Sequence, residues 1–204
     1  MDLFKIFRSR PLIRDSRALA DFIDANAAFL VQKGMYEYSR ARAGHYAKVL
    51  FSEAAFKEAV DESRWRAFPL GLAMVAEVVE NALYPHWHGH RTEGLESLER
   101  LVLSIFDRYA ASSSLGPDTW IGLRGELQRR LQRFSLHGPK RAFDVAEPLA
   151  EEYFNLMPIH EKLRGRDFST LRNYMRVTLC NIHDEFIKRM DARALASALQ
   201  GQAT

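Results

Sequence analysis

The sequence predicts an all-α protein, and three observations carry that prediction. Helix formers dominate: 24 Leu and 25 Ala stand against 22 Val, Ile and Thr taken together. Breaks are sparse, with 11 Gly and 7 Pro among 204 residues, below the usual share. Apolar residues recur at three- and four-residue spacing along most of the chain, and no strand-like alternation outlasts a few residues. The expected architecture is one bundle of seven to nine helices around a central apolar helix. Residues 1–14 read as a basic amphipathic arm and residues 15–200 as the bundle domain.

Asp15 or Ser16 caps a first helix running to about Lys33, with Leu19, Phe22, Ile23, Asn26, Phe29 and Leu30 on one stripe. Gly34 is the expected break, followed by a second helix from Met35 to Arg42 that ends at Gly44. Ser52 is the expected N-cap of a third helix reaching Arg66, and Phe51 and Phe56 stand where a hydrophobic staple would close. Pro69 suits the first turn of a fourth helix that stops at Tyr84 before Pro85. Leu70, Leu72, Met74, Val75, Val78, Val79, Ala82 and Leu83 make that helix apolar on nearly every side, the mark of a central element.

Thr92 opens a fifth helix with Glu93 and Glu96 in its first turn, which suits the helix dipole. Its buried face is Leu95, Leu98, Val102, Ile105, Phe106 and Tyr109, and Ala110–Gly116 is a loop. Pro117 starts a sixth helix with Trp120, Leu123, Leu127, Leu131 and Phe134 inward, closed by His137-Gly138-Pro139. Asp144 and Glu147 have capping-box spacing before a seventh helix that ends near Met157. Asp167 or Ser169 starts the last long helix, with Phe168, Leu171, Met175, Thr178, Ile182, Phe186 and Met190 on one face. Asp191 to Gln200 adds another turn or two.

The formal net charge is +3, and Lys5, Arg8, Arg10 and Arg14 against Asp2 place that whole excess in the arm. The balanced remainder argues against a broad nucleic-acid-binding body. Tyr36, Tyr38, Arg40, Arg42, His45, Tyr46 and Lys48 interleave rings with cations. That pattern can stack bases, and it equally describes a helix with buried ring bodies and wet tips. Cys180 is the only cysteine, so no intrachain disulfide forms. The arm is too interrupted for a secretory core, and the apolar run Ala67–Ala76 meets Glu77 well short of a bilayer span. The expected location is the cytoplasm.

Several catalytic signatures are missing. Ser114 precedes Leu115-Gly116, but Ser112 stands where a nucleophile elbow needs glycine. Gly138-Pro139-Lys140 lacks the spacing of a phosphate loop. His160-Glu161 and His183-Asp184-Glu185 do not complete a zinc-protease helix, because Arg164 and Ile187 occupy the second histidine position.

What remains are local constellations. Glu77 and Glu80 lie three apart on the apolar fourth helix; they read as an acid/base pair or as carboxylates paired to a neighbouring cation. Arg172, Arg176 and His183 share one face of the last helix, close to Cys180, with Arg164 and Arg166 just before it. The four arginines are candidates for holding an anion or an acidic partner. His160 and His183 join Glu77 and Glu80 as candidate catalytic groups. His86, His88 and His90 could hold a metal if their loop were extended. Phe4, Lys5, Phe7, Arg8 and Arg10 could lay the arm on an anionic membrane or in a partner's groove.

The strings LVQKGMYEYSRARAGHYAKVLF, SRWRAFPLGLAMVAEVVE and YFNLMPIHEKLRGRDFSTLRNYMRVTLCNIHDEF resemble an uncharacterised bacterial family of helical proteins about 200 residues long. Some of its members carry the label esterase. The resemblance covers about residues 15 to 192 and implies a coherent helical domain. It brings no catalytic residue with it, and nothing in the sequence supports the label.

The leading expectation is therefore a non-enzymatic interaction protein that binds a partner protein or an anionic surface; a homo-oligomer is compatible with it. No cofactor and no nucleic acid are expected. A small hydrolase with its site between helices is the alternative, and metal binding through His86, His88 and His90 is the third reading.

Overall fold

The computed structural model describes residues 11–111, 114–159, 164 and 167–201. Its helices are α1 (Ser16–Ala43), α2 (Ala47–Leu50), α3 (Ala54–Leu83), α4 (Arg91–Phe106), α5 (Pro117–Gln132), α6 (Glu147–Asn155), α7 (Phe168–Arg189) and α8 (Ala192–Gln200). Short 3-10 turns connect several of them. Among the described residues there is no strand, only an isolated bridge between Ile13 and Met190. The all-α single-domain reading holds.

The central element is α3. Every residue from Ala67 to Glu80 is buried, and the helix packs on α1, α4, α5, α6 and α7. Its longest interface is with α1, made possible by Gly71, where a Cβ would stand 2.6 Å from Val31 Cγ2 and 3.0 Å from the Ala27 carbonyl oxygen. A ring cluster of Trp65, Phe68, Phe106, Tyr109 and Trp120 joins α3 to the end of α4 and to α5, with Phe106 stacked on Trp120 at 4.3 Å. On α7, Leu171, Met175, Thr178, Ile182 and Phe186 are buried as their spacing predicts.

Two expected breaks do not occur. Gly34 lies inside the 28-residue α1. It is there because Tyr153 on α6 donates its hydroxyl to the Val31 carbonyl at 2.7 Å, and a Cβ on residue 34 would meet that hydroxyl at 2.4 Å. The glycine clears space; it does not end the helix. Pro69 likewise lies inside the 30-residue α3. Proline removes one backbone hydrogen bond, at about 3 kcal/mol. Burial of the flanking turns outweighs that and fuses the expected third and fourth helices.

The fused helix is long and apolar enough to cross a membrane by length and composition, although 89% of its most apolar stretch is buried inside the bundle. The sequence suggests a shorter apolar run because Glu77 interrupts it and because Pro69 reads as the start of a separate helix.

Asp15 caps α1, accepting from the Ala18 amide at 2.8 Å, and Asp191 caps α8 in the same way. Ser52 does not cap α3; its hydroxyl donates to the Val49 carbonyl and Glu53 holds the cap position. The Phe51 and Phe56 rings still meet, at 5.0 Å. Asp144 does not cap α6 either, because Arg141 claims its carboxylate.

The boundary after residue 14 also shifts. Ile13 is fully buried, its amide donates to the Arg189 carbonyl at 2.8 Å, and its carbonyl accepts from Asp191 at 2.9 Å. Residues 11–14 thus belong to the bundle. Phe4, Lys5, Phe7, Arg8 and Arg10 lie outside the described residues.

Candidate functional site

The acidic pair on α3 is the most heavily built polar feature. An ionised carboxylate this deep needs a partner, and both receive one. Glu80, with no exposed side-chain surface, accepts from Arg91 Nε at 3.1 Å and from Nη2 at 3.0 Å. The same Nη2 also donates to the carbonyls of Phe134 and His137, each at 2.8 Å. One guanidinium at the start of α4 thereby ties α3 to the segment after α5. Burial raises the Glu80 pKa, and the hydrogen bond from Arg91 opposes that rise.

Glu77 accepts from Lys140 Nζ at 2.6 Å, and His137 Nε2 stands 3.8 Å away. The Lys140 amide donates to Asn81 Oδ1 at 3.0 Å. The 133–141 segment is therefore fastened to the acidic stretch of α3 at both ends. Beside Glu77 lies a cavity of about 210 Å³, lined by Ala73, Glu77, Arg130, Arg133, Phe134, His137, Lys140 and Leu149.

Catalysis needed the acidic pair to meet the Arg/His face of the last helix, and the cavity lining contains neither Arg172, Arg176 nor His183. Arg172 and Arg176 both turn to Glu147, and Arg176 lies over the Phe143 ring at 4.3 Å. His183 faces its own neighbour Asp184, at 3.4 Å. Burial pushes the Cys180 thiol up, the opposite of an activated nucleophile. Arg164 is a positioning residue as well: its Nε donates to the Ile159 carbonyl at 2.6 Å and its Nη1 to Phe154 at 3.1 Å. His160 and Arg166 lie outside the described residues.

The histidine loop does not form the expected metal arrangement. Tyr84–His86 is a 3-10 turn, and His88 and Gly89 both have positive φ, 45° and 95°. The chain is coiled where three ligands on one side require an extended strand. Trp87 turns into the core instead, and His90 stands 3.6 Å from Glu93. Among the described residues no group of three His, Cys, Asp or Glu is placed to hold a metal ion.

A different region carries free charge. The C-terminal third of α1, the short α2 and the first turns of α3 form a helical hairpin. Tyr36 and Phe51 meet in a tilted arrangement with ring centroids 4.8 Å apart, and they line two adjoining hollows. One, of about 180 Å³, continues past Met35, Lys57 and Val60 to Arg64. The other is bounded by Arg40, His45 and Lys48. Tyr46 is 77% exposed, and Val49 and Tyr36 are exposed with it. Arg40, Lys48 and Lys57 make no ion pair among the described residues. Arg42 is already committed to Asp167.

The interleaved rings and cations of Tyr36–Lys48 were visible in the sequence, but their union with Phe51, Lys57 and Val60 into one groove depends on the α2 turn. No family model, no curated protein and no solved structure matches the chain.

Proposed function

We propose that the chain is a helical interaction protein whose hairpin end holds an acidic amphipathic segment of a partner protein. The observation that carries this reading is the clustering of Arg40, Lys48 and Lys57, which make no ion pair among the described residues, along two adjoining hollows that share the Tyr36 and Phe51 rings, with the exposed Tyr46 next to His45 and Ala47 of the second. The lining also holds two carboxylates, Asp61, which is paired to Arg64, and Glu37, against the three cations Arg40, Lys48 and Lys57; an acidic amphipathic helix would bring apolar side chains at i, i+3 and i+4 to Tyr36, Phe51 and Val60 and further carboxylates to those cations. Several other surface cations are already paired, as at Arg108, Arg124 and Arg141, and it is the grouping of three uncommitted cations beside aromatic rings that sets the hairpin apart.

The test is fluorescence anisotropy with a labelled helical peptide carrying Glu on one face and Leu on the other. Binding should be saturable and weaken about tenfold, or 1.4 kcal/mol, in a Tyr46→Ala/Lys48→Glu double variant. Ile121→Ala, an exposed apolar residue on α5, should leave it unchanged. Equal binding by the charge-reversed variant overturns the proposal. So does a preference for anionic vesicles over the peptide, which would make the hairpin a membrane-contact surface instead.

A further inference from the structure

We propose that the cavity beside Glu77 is a binding site for a small monocarboxylate. It does not depend on the hairpin groove: Glu77 lies 17 residues beyond Val60 on α3, about 25 Å along the helix axis.

The floor of the cavity is apolar, with Ala73, Phe134 and Leu149 all buried. Its wall is cationic. Arg130, Arg133 and Lys140 line it together with His137 and the single carboxylate Glu77. Lys140 is taken by Glu77, and Arg130 donates through Nη2 to both oxygens of Glu152 on α6. One cation is left over: Arg133 has an exposed side chain and no ion pair among the described residues. A carboxylate would give it an acceptor in the strongest, charge-assisted form.

The charge count selects a monoanion. Three fixed cations face Glu77 in the lining and Glu152 behind it, which leaves one positive charge uncompensated. A second negative charge would have no counterpart. The volume sets the size. About 210 Å³ falls below the usual drug-sized pocket. The ligand is therefore an acid with one ring or a few carbons, its body on Phe134 and Leu149 and its carboxylate toward Arg133.

The experiment is methyl NMR on the full chain, following Leu149 while titrating benzoate. Benzamide, benzylamine and inorganic phosphate are run alongside. Benzoate should shift the Leu149 methyls saturably, and benzamide should bind about tenfold more weakly. Arg133→Gln, an exposed and fold-neutral change, should weaken benzoate about tenfold. Equal titration by benzoate and benzamide overturns the proposal, as does stronger binding of phosphate, unaltered binding in Arg133→Gln, or no saturable shift at all. Acidic-peptide binding at the hairpin should be unaffected by benzoate, so failure of one site is distinguishable from failure of the other.

Discussion

At Glu80 a carboxylate with no exposed side-chain surface meets a guanidinium that also holds two backbone carbonyls. At Lys48, near the opposite end of the same helical pair, a cation faces water with no ion pair among the described residues. The two regions share the α3 helix and differ in what charge does there. Around Glu77 and Glu80 each acid has its own cation, and those pairs fasten the 133–141 segment to the core. Around Tyr36–Lys57 the rings of Tyr36 and Tyr46 are open, and Arg40, Lys48 and Lys57 make no ion pair among the described residues. The Glu80–Arg91 and Glu77–Lys140 pairs fix the closed end, where among the described residues only Arg133 at the cavity rim is left over, while three cations at the hairpin end are available to something outside it.

The largest test of that contrast is Arg91→Met. It leaves Glu80 buried without a partner and frees two carbonyls, so it should lower stability by about 3–5 kcal/mol, read as a fall in the urea midpoint. The double variant Arg91→Met/Glu80→Met should recover much of that loss, because replacing both partners removes the stranded charge. A single-variant loss below about 1 kcal/mol would mean that the closed end is no more committed than the hairpin.

Gly34→Ala comes next and probes α1 between the two regions. The new Cβ collides with the Tyr153 hydroxyl, and overpacking of this kind costs about 1–3 kcal/mol. Tyr153→Phe removes the colliding oxygen, so the double variant should be less destabilised than the sum of the single changes. Strict additivity would show that the clash relaxes elsewhere.

These two sites also show how far the sequence could be read. The helical class was legible because its signal is local: spacing of Leu, Val and Phe survives without any knowledge of partners. Helix ends set by a neighbour were not. Gly34 and Pro69 look like breaks in isolation, and only Tyr153, more than a hundred residues away, and the burial of α3 on both sides of Pro69 explain why the helices run on. Glu77 and Glu80 stood out as charges on an apolar helix, which is a demand for cations that the sequence does not assign. Arg91 and Lys140 answer it from 11 and 63 residues away. Arg172 and Arg176 were correctly placed on one face, but the carboxylate that occupies them, Glu147, sits on another helix. The groove at the hairpin was half visible as interleaved rings and cations; its other wall comes from α3.

Acid should separate the closed end from the rest more gently. Burial raises the Glu80 pKa above its ordinary 4.5. A carboxyl raised in the folded state contributes stability that is fully present below its unfolded pKa and lost as pH rises through the folded value. Wild type should therefore gain stability relative to Glu80→Gln as pH falls from neutrality toward 4.5, with urea midpoints at several pH values as the measurement. Parallel profiles would place Glu80 at its ordinary pKa and assign any acid response to other groups.

The smallest effect belongs to the hairpin. Tyr46→Ala and Lys48→Glu remove a 77% exposed ring and reverse an unpaired surface charge, so each should change stability by no more than about 0.5 kcal/mol. The same two changes are expected to weaken the acidic peptide about tenfold. That pairing of a stability null with a binding loss is what an outward-facing surface requires, and the converse is expected at Arg91. If Tyr46→Ala or Lys48→Glu instead lowered the urea midpoint as much as Gly34→Ala, the rings and cations of the hairpin would be holding the α2 turn in place. The difference between the two ends of α3 would then be one of exposure and not of purpose.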